Sequence, residues 1–215
     1  RDVGVSGMAK QFKSIALDPK TCRTQINEFG ALLRSKAALS ERLDVLPFFT
    51  KRPQISAFIG SYMRDTGPAT EYAFEYPFYG DFAADLVIGD KAGRRFCVVE
   101  FEDGRKNSIF RVPKGKSTSE WGPRFEHGFS QIVDWFTLID DIKNTKRFQR
   151  DFGPDHVRFS ALLVIGRDAG VTGYDRTRLD WRTEKVRVDS HPVECVTSDG
   201  LREHLDRHLR LNTGY

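Results

Sequence analysis

Three acids, Asp85, Glu100 and Glu102, stand where they could carry metal-assisted chemistry. Side chains on a strand alternate between faces, so in the run FCVVEFEDG the residues Val98, Glu100 and Glu102 share one face, and Cys97, Val99 and Phe101 the other. Asp85 belongs to the preceding run, FAADLVIGD, and the short turn after it brings Asp85 to a level where it approaches Glu100. Three partly buried carboxylates repel one another and are costly to desolvate unless a cation neutralises them. Oxygen ligands with open water positions suit Mg²⁺ or Mn²⁺, and no His or Cys cluster argues for zinc. The plainer reading is that strand-end carboxylates face solvent or pair with Arg.

Residues 104–124 follow at once, with Arg105, Lys106, Arg111, Lys114, Lys116 and Arg124 against the single acid Glu120. Basic groups beside a metal-binding acid cluster suit a phosphodiester backbone, and Lys106, Arg111, Lys114 and Lys116 are the expected DNA contacts. A solvated charged loop is the alternative.

The elements that must position these residues are legible in the hydrophobic pattern. Asp18-Pro19 opens a helix with Ile26, Phe29, Leu32 and Leu33 on one face; another helix follows Ser40, a third starts at Pro53, and Gly67-Pro68 closes the region. From Glu71 the period changes to two. Tyr72, Phe74, Tyr76 and Phe78 alternate as on a half-buried strand, and Pro77 suggests an edge. Residues 84–88, a turn at 89–93 and residues 95–102 read as an antiparallel meander. A helix carrying Phe125, Phe129, Ile132, Phe136 and Ile139 packs on the sheet. After a charged connector, residues 157–165 form a strand buried on both sides, residues 186–188 and 193–196 form short strands, and Ser198 caps a last helix with Leu201, Leu205 and Leu209. The order describes an α/β fold, divided into a helical region at 1–69 and a domain at 70–215 that carries the acids.

Composition agrees. The 215 residues include 17 Phe and 39% hydrophobic residues, enough for a core, which excludes disorder for the bulk of the chain. The formal net charge is +4. No run approaches the ~20 apolar residues of a membrane span, and no signal peptide is evident, so the reading is a soluble, cytosolic protein without membrane contact. Cys22, Cys97 and Cys195 read as reduced packing residues. Arg1 rather than Met opens the sequence, which reads as a fragment.

At these residues the sequence resembles the PD-(D/E)XK nuclease superfamily, and more closely the Shedu family of bacterial anti-phage defence nucleases. The matching pieces are Asp85 within FAADLVIGD, Glu100 within FCVVEFEDG, the helix FEHGFSQIVDWF with Gln131 and Trp135, and the passage VECVTSDGLREHL. The resemblance covers roughly residues 71–205. It implies a restriction-endonuclease-like α/β core with a central mixed sheet flanked by helices, Mg²⁺- or Mn²⁺-dependent DNA cleavage, homo-oligomers and a bacterial cytoplasmic setting. By position, Asp85, Glu100 and the main-chain oxygen of Phe101 bind metal, Gln131 faces the site, and Glu71 or Glu75 is the upstream acid. In-line attack of a water on phosphorus then follows.

The family pattern departs at one place: it expects Lys two positions after the second acid, where this chain has Glu102. Glu102 is then a water-activating base or a further metal ligand, with Lys106, Lys114 or Lys116 supplying positive charge. The other reading is lost activity and a nuclease-like module that binds DNA or assembles a complex. A charged interaction module without DNA binding is the third.

Other signals carry less. Gly115-Lys116-Ser117 lacks the earlier glycine of a phosphate-binding loop, since Phe110 stands there. His204 and His208 lack a third zinc ligand and read as exposed helix residues. The glycines of residues 166–173 have neither dinucleotide-binding spacing nor a following helix. His127 lies one helical turn before Gln131 and can look toward the site or sit at the core rim. Trp121, Trp135 and Trp181 read as core or interface residues, with base stacking by Trp121 the weaker alternative.

Overall fold

The computed structural model describes residues 11–63, 66, 69–79, 82–154 and 156–214, with no account of the Tyr79 side chain. The expected Gly67-Pro68 closure lies outside them. After β1 (Lys13–Ser14), the Asp18 carboxylate accepts the N–H of Lys20, and Pro19 opens α1 (Pro19–Ser35). Ile26, Phe29 and Leu33 are buried on its inner face. Ser40 caps a wide π-helical turn, Glu41–Val45, which runs into α2 (Leu46–Thr50); α3 (Pro53–Phe58) and a 3₁₀ turn complete this region.

The strands β2 (Glu71–Tyr79), β3 (Phe82–Asp90) and β4 (Arg95–Phe101) form the expected antiparallel meander. Its tight turn is held by the Asp90 carboxylate, which accepts the N–H groups of Ala92 and Gly93 at 3.1 and 3.0 Å. A separate two-stranded ribbon, β5 (Phe110–Arg111) and β6 (Glu120–Trp121), precedes α4 (Pro123–Ile142) and α5 (Lys146–Phe152). Then come β7 (Arg158–Val164), α6 (Tyr174–Lys185), β8 (Arg187–Val188), β9 (His191–Val196) and α7 (Ser198–Thr213). The sheet has seven strands in the order β1-β2-β3-β4-β7-β9-β8. β7 runs parallel to both β4 and β9, and the remaining pairs are antiparallel, so the chain is α/β with a mixed central sheet.

Each face of the sheet has its own core. Phe96 and Val98 pack with Phe125, Ile132 and Trp135 of α4 and with Phe148 and Phe152 of α5. Cys97, Val99 and Phe101 pack with Ile26 and Phe29 of α1, Phe49 of α2 and Leu201, Leu205 and Leu209 of α7. The N-terminal helices therefore share a core with the sheet. Arg167 ties the first and last helices together: it donates to the Leu33 and Lys36 carbonyls at the end of α1 and pairs bidentately with Asp199 at the start of α7.

Several expectations change in detail. The four aromatics of β2 do not share a face, because Glu75 has φ 47° and reverses the alternation: Tyr72 and Phe74 join the α1 side, Tyr76 and Phe78 the α4 side. β1 pairs only with Glu71 and Tyr72, so β2 is an edge at Pro77 but not at its start. The charged connector contains α5. A helix also follows Gly173, where none was expected; α6 is polar nearly all round, with Leu179 its only buried residue, so no apolar stripe announces it. Trp181 on that helix is 61% exposed, contrary to the core expectation, whereas Trp135 is core. His204 is half-buried against Tyr62 rather than exposed, and the side chain that caps α7 is Thr197, one residue before Ser198. All three cysteines are buried and free. Among the described residues no helix is long and apolar enough to cross a membrane.

Candidate active site

The last regular pair between β3 and β4 is Leu86 with Val99, and one further step of that register sets Asp85 opposite Glu100. The Asp85 Oδ2 accepts the main-chain N–H of Phe101 at 2.9 Å. The carbonyl of a strand residue points to the same edge as its N–H, so the Phe101 carbonyl is directed toward the Asp85 side. On the opposite edge the Glu102 N–H donates to the Val164 carbonyl at 2.9 Å. The Asp85 and Glu100 side chains lie close enough that the pKa of each responds to the other. Burial raises the pKa of both, and for Glu100 the Asp85 charge adds to it, so the pair holds a proton to higher pH than an isolated carboxylate does. Glu100 is 5% exposed, and its Oε2 has no hydrogen-bond partner among the described residues.

Glu102 lies on the same face, and its charge raises the pKa of Glu100. It is 1% exposed, its Oε2 is 3.3 Å from Arg124 Nη1, and burial pushes its pKa up to about 7 against the lowering effect of Arg124. The third acid is thus near the pair but paired with an Arg. Among the described residues no three His, Cys, Asp or Glu side chains group as a ready metal centre. Gly128 lets α4 come this close: a Cβ there would sit 3.1 Å from Glu102 Cγ and 2.7 Å from Leu163 Cδ1.

The upstream acid at the site is Glu41, which sequence reasoning missed. Leu39 and Gly104 bridge through both main-chain bonds, at 3.0 and 2.9 Å, and the Glu41 N–H donates to Asp103 Oδ1 at 2.9 Å. This seats Glu41 with its Oε2 3.5 Å from Arg124 Nη1, where its charge raises the pKa of Asp85, Glu100 and Glu102. Ser40-Glu41 was visible as a helix start, but the bridge that carries it to Gly104 is non-local. Glu71 pairs in register with Gly89, at the other end of β2 and near Lys91. Glu75 is at the level of Asp85, exposed and at the positive φ.

Gln131 sits three residues after Gly128 on α4, and its Oε1 is buried without a partner among the described residues. His127 is exposed on the same helix, and its charge acts on Glu41. Lys106, Arg111, Lys114 and Lys116 are exposed; Lys116 pairs with Glu120. The ribbon leans on α6, where Arg178 donates to the Ser119 carbonyl at 3.0 Å and stacks over Phe110 and Trp121. Trp121 itself lies between Phe110 and Phe125, inside an aromatic stack. The cation that reaches the acids is Arg124.

The model of the family described as Shedu protein SduA, C-terminal, matches residues 38–201. The chain belongs to the Shedu family. The Shedu match starts just before Ser40, takes in Glu41, both acid-bearing strands, Arg124 and Gln131, and ends in α7. No curated protein matches the chain. A cavity of about 1050 Å³ between α6, β9 and α7 contains none of the acids in the Shedu-matched cluster.

The donor set fits a hard divalent cation. It is all oxygen, it carries excess negative charge in a largely buried place, and it includes Glu100 Oε2, buried without a partner among the described residues. Two carboxylates and a carbonyl are few ligands, as suits Mg²⁺, which keeps several waters.

Proposed function

We propose that this Shedu-family chain is a Mg²⁺- or Mn²⁺-dependent DNA endonuclease of the PD-(D/E)XK type that acts as an anti-phage defence effector, assembled as a homo-oligomer in the bacterial cytoplasm. The observation that carries the reading is the Asp85–Glu100 pair: a half-buried acid and a buried one placed opposite each other on adjacent strands, the second with a partnerless oxygen.

Asp85, Glu100 and the Phe101 carbonyl hold the cation. When bound, the ion polarises a phosphoryl oxygen and lowers the pKa of a water. The Phe101 N–H fixes the Asp85 carboxylate, so that it would need no reorganisation to hold the ion. Glu102, with a pKa near neutrality, accepts the proton of the attacking water, and Gln131 Oε1 orients that water as a hydrogen-bond acceptor. Lys106, Arg111, Lys114 and Lys116 track the DNA backbone from the exposed loop.

Supercoiled plasmid and linear DNA incubated with the purified protein under Mg²⁺, Mn²⁺ or chelator test this. Cleavage under either metal, absent with chelator and with Glu100→Ala or Asp85→Ala, is expected. Unchanged cutting by Glu100→Ala overturns the assignment. One observation favours a second reading: Glu102, at the position where the resemblance expects Lys, is paired with Arg124. Salt-sensitive DNA binding without cleavage under any metal would make the chain a nuclease-like binding or assembly module.

A further inference from the structure

We infer that Arg124 is the residue that grips the phosphate undergoing attack, supplying from the first turn of α4 the positive charge that the acid-bearing strand lacks. The inference rests on the nuclease reading above, and its observations are separate from those that assign the metal ligands.

A phosphodiester entering a cluster of carboxylates meets repulsion, so a fixed cation must face it. Among the described residues Arg124 is the side chain that forms ion pairs with both Glu102 and Glu41, its Nη1 lying 3.3 and 3.5 Å from them; its Nε is 3.8 Å from Asp103, which Arg105 holds more closely at 3.1 Å. These carboxylates come from the strand end, the π-helical turn and the following loop, so they aim the guanidinium from different sides. The contacts are long, and the side chain remains 52% exposed. Nη2 forms no hydrogen bond with the described residues. A planar guanidinium with free N–H donors at an open rim is the group best matched to two phosphate oxygens.

The helix adds to this. Gly122 caps α4 without a side-chain hydrogen bond, and Arg124 stands in the first turn of this 20-residue helix, where the helix dipole is positive. Gly122 also cannot carry a side chain, since a Cβ would lie 2.4 Å from the Ser108 carbonyl oxygen; the loop packs there and fixes where the helix begins. The lysines of residues 104–119 then serve the DNA backbone away from the reacting phosphate. This separates two roles: Arg124 acts on the step, the loop on affinity.

Four measurements on the full chain test the inference. With plasmid DNA under Mn²⁺, Arg124→Ala should slow single-turnover cleavage by about 100-fold or more, and Arg124→Lys by about 10-fold. DNA affinity measured in Ca²⁺ should change less than about 3-fold. Mn²⁺ affinity in the absence of DNA should hold or tighten, because a neighbouring positive charge has gone; weakened Mn²⁺ binding would make Arg124 a structural support of the metal site and overturn the inference. The fourth measurement needs no variant: a 20-base-pair duplex with Ca²⁺ should protect Arg124 of the wild-type protein from phenylglyoxal, read by peptide mass spectrometry. Wild-type protein that cuts nothing under any metal would defeat the nuclease reading, and protection would still decide whether Arg124 meets phosphate. Cleavage by Arg124→Ala at the wild-type rate, or equal modification with and without duplex, overturns the inference.

Discussion

The main-chain N–H of Phe101 donates to the Asp85 carboxylate across 2.9 Å, so the backbone of one strand holds the acid of its neighbour in place. Asp85→Asn keeps an oxygen for that N–H and should leave the fold intact while removing the charge. Asp85→Leu leaves the donor unpaired in a buried place, at a cost of about 1–3 kcal/mol. Urea unfolding of the two variants checks this; equal stability would show that the bond has no structural role.

A pH dependence follows from Glu102. Its pKa rises on folding from 4.5 to about 7, so its contribution to stability is complete below 4.5 and is lost as the pH rises through 7. Chelator-treated protein should therefore lose stability relative to Glu102→Gln between roughly pH 4.5 and 7. Thermal melts across that interval measure the difference, and a wild-type curve parallel to that of Glu102→Gln would contradict it.

Glu41 links the N-terminal helices to the acids through charge. Glu41→Gln should lower the pKa of Asp85, Glu100 and Glu102, each of which the Glu41 charge raises, and should weaken Mn²⁺ binding by roughly 10-fold. Isothermal titration reads the affinity. An unchanged value would confine Glu41 to anchoring the turn through its main-chain bond to Asp103.

Gly128 sets the distance between α4 and the acid-bearing strand. A valine there must displace Leu163 and the Glu102 stem, costing about 1–3 kcal/mol and shifting Gln131 and Arg124 together. Cleavage should fall more than DNA binding does, as measured by single-turnover kinetics against affinity in Ca²⁺. Wild-type cleavage by Gly128→Val would show that the helix position is not critical.

How far the sequence reaches can be seen from particular residues. The Asp85–Glu100 apposition was legible because strand alternation and a short turn are local rules, and α4 because Phe125, Phe129, Ile132, Phe136 and Ile139 repeat at helical spacing. Glu41 was not, since only the Leu39–Gly104 bridge, 65 positions apart in the chain, carries it to the site. Glu102 read as a third member of the cluster because periodicity gives a face but not a rotamer, and the pairing with Arg124 decides where its carboxylate goes. The aromatic alternation of β2 misled for a backbone reason: one positive φ at Glu75 exchanges the two faces.

The central claim is that Asp85 and Glu100 together hold a divalent cation. Electron paramagnetic resonance of Mn²⁺ titrated into the DNA-free protein tests it most directly. The account predicts a bound-ion signal in wild-type protein that disappears in Glu100→Gln and in Asp85→Asn while both variants remain folded. A bound signal of the same strength in Glu100→Gln would contradict it.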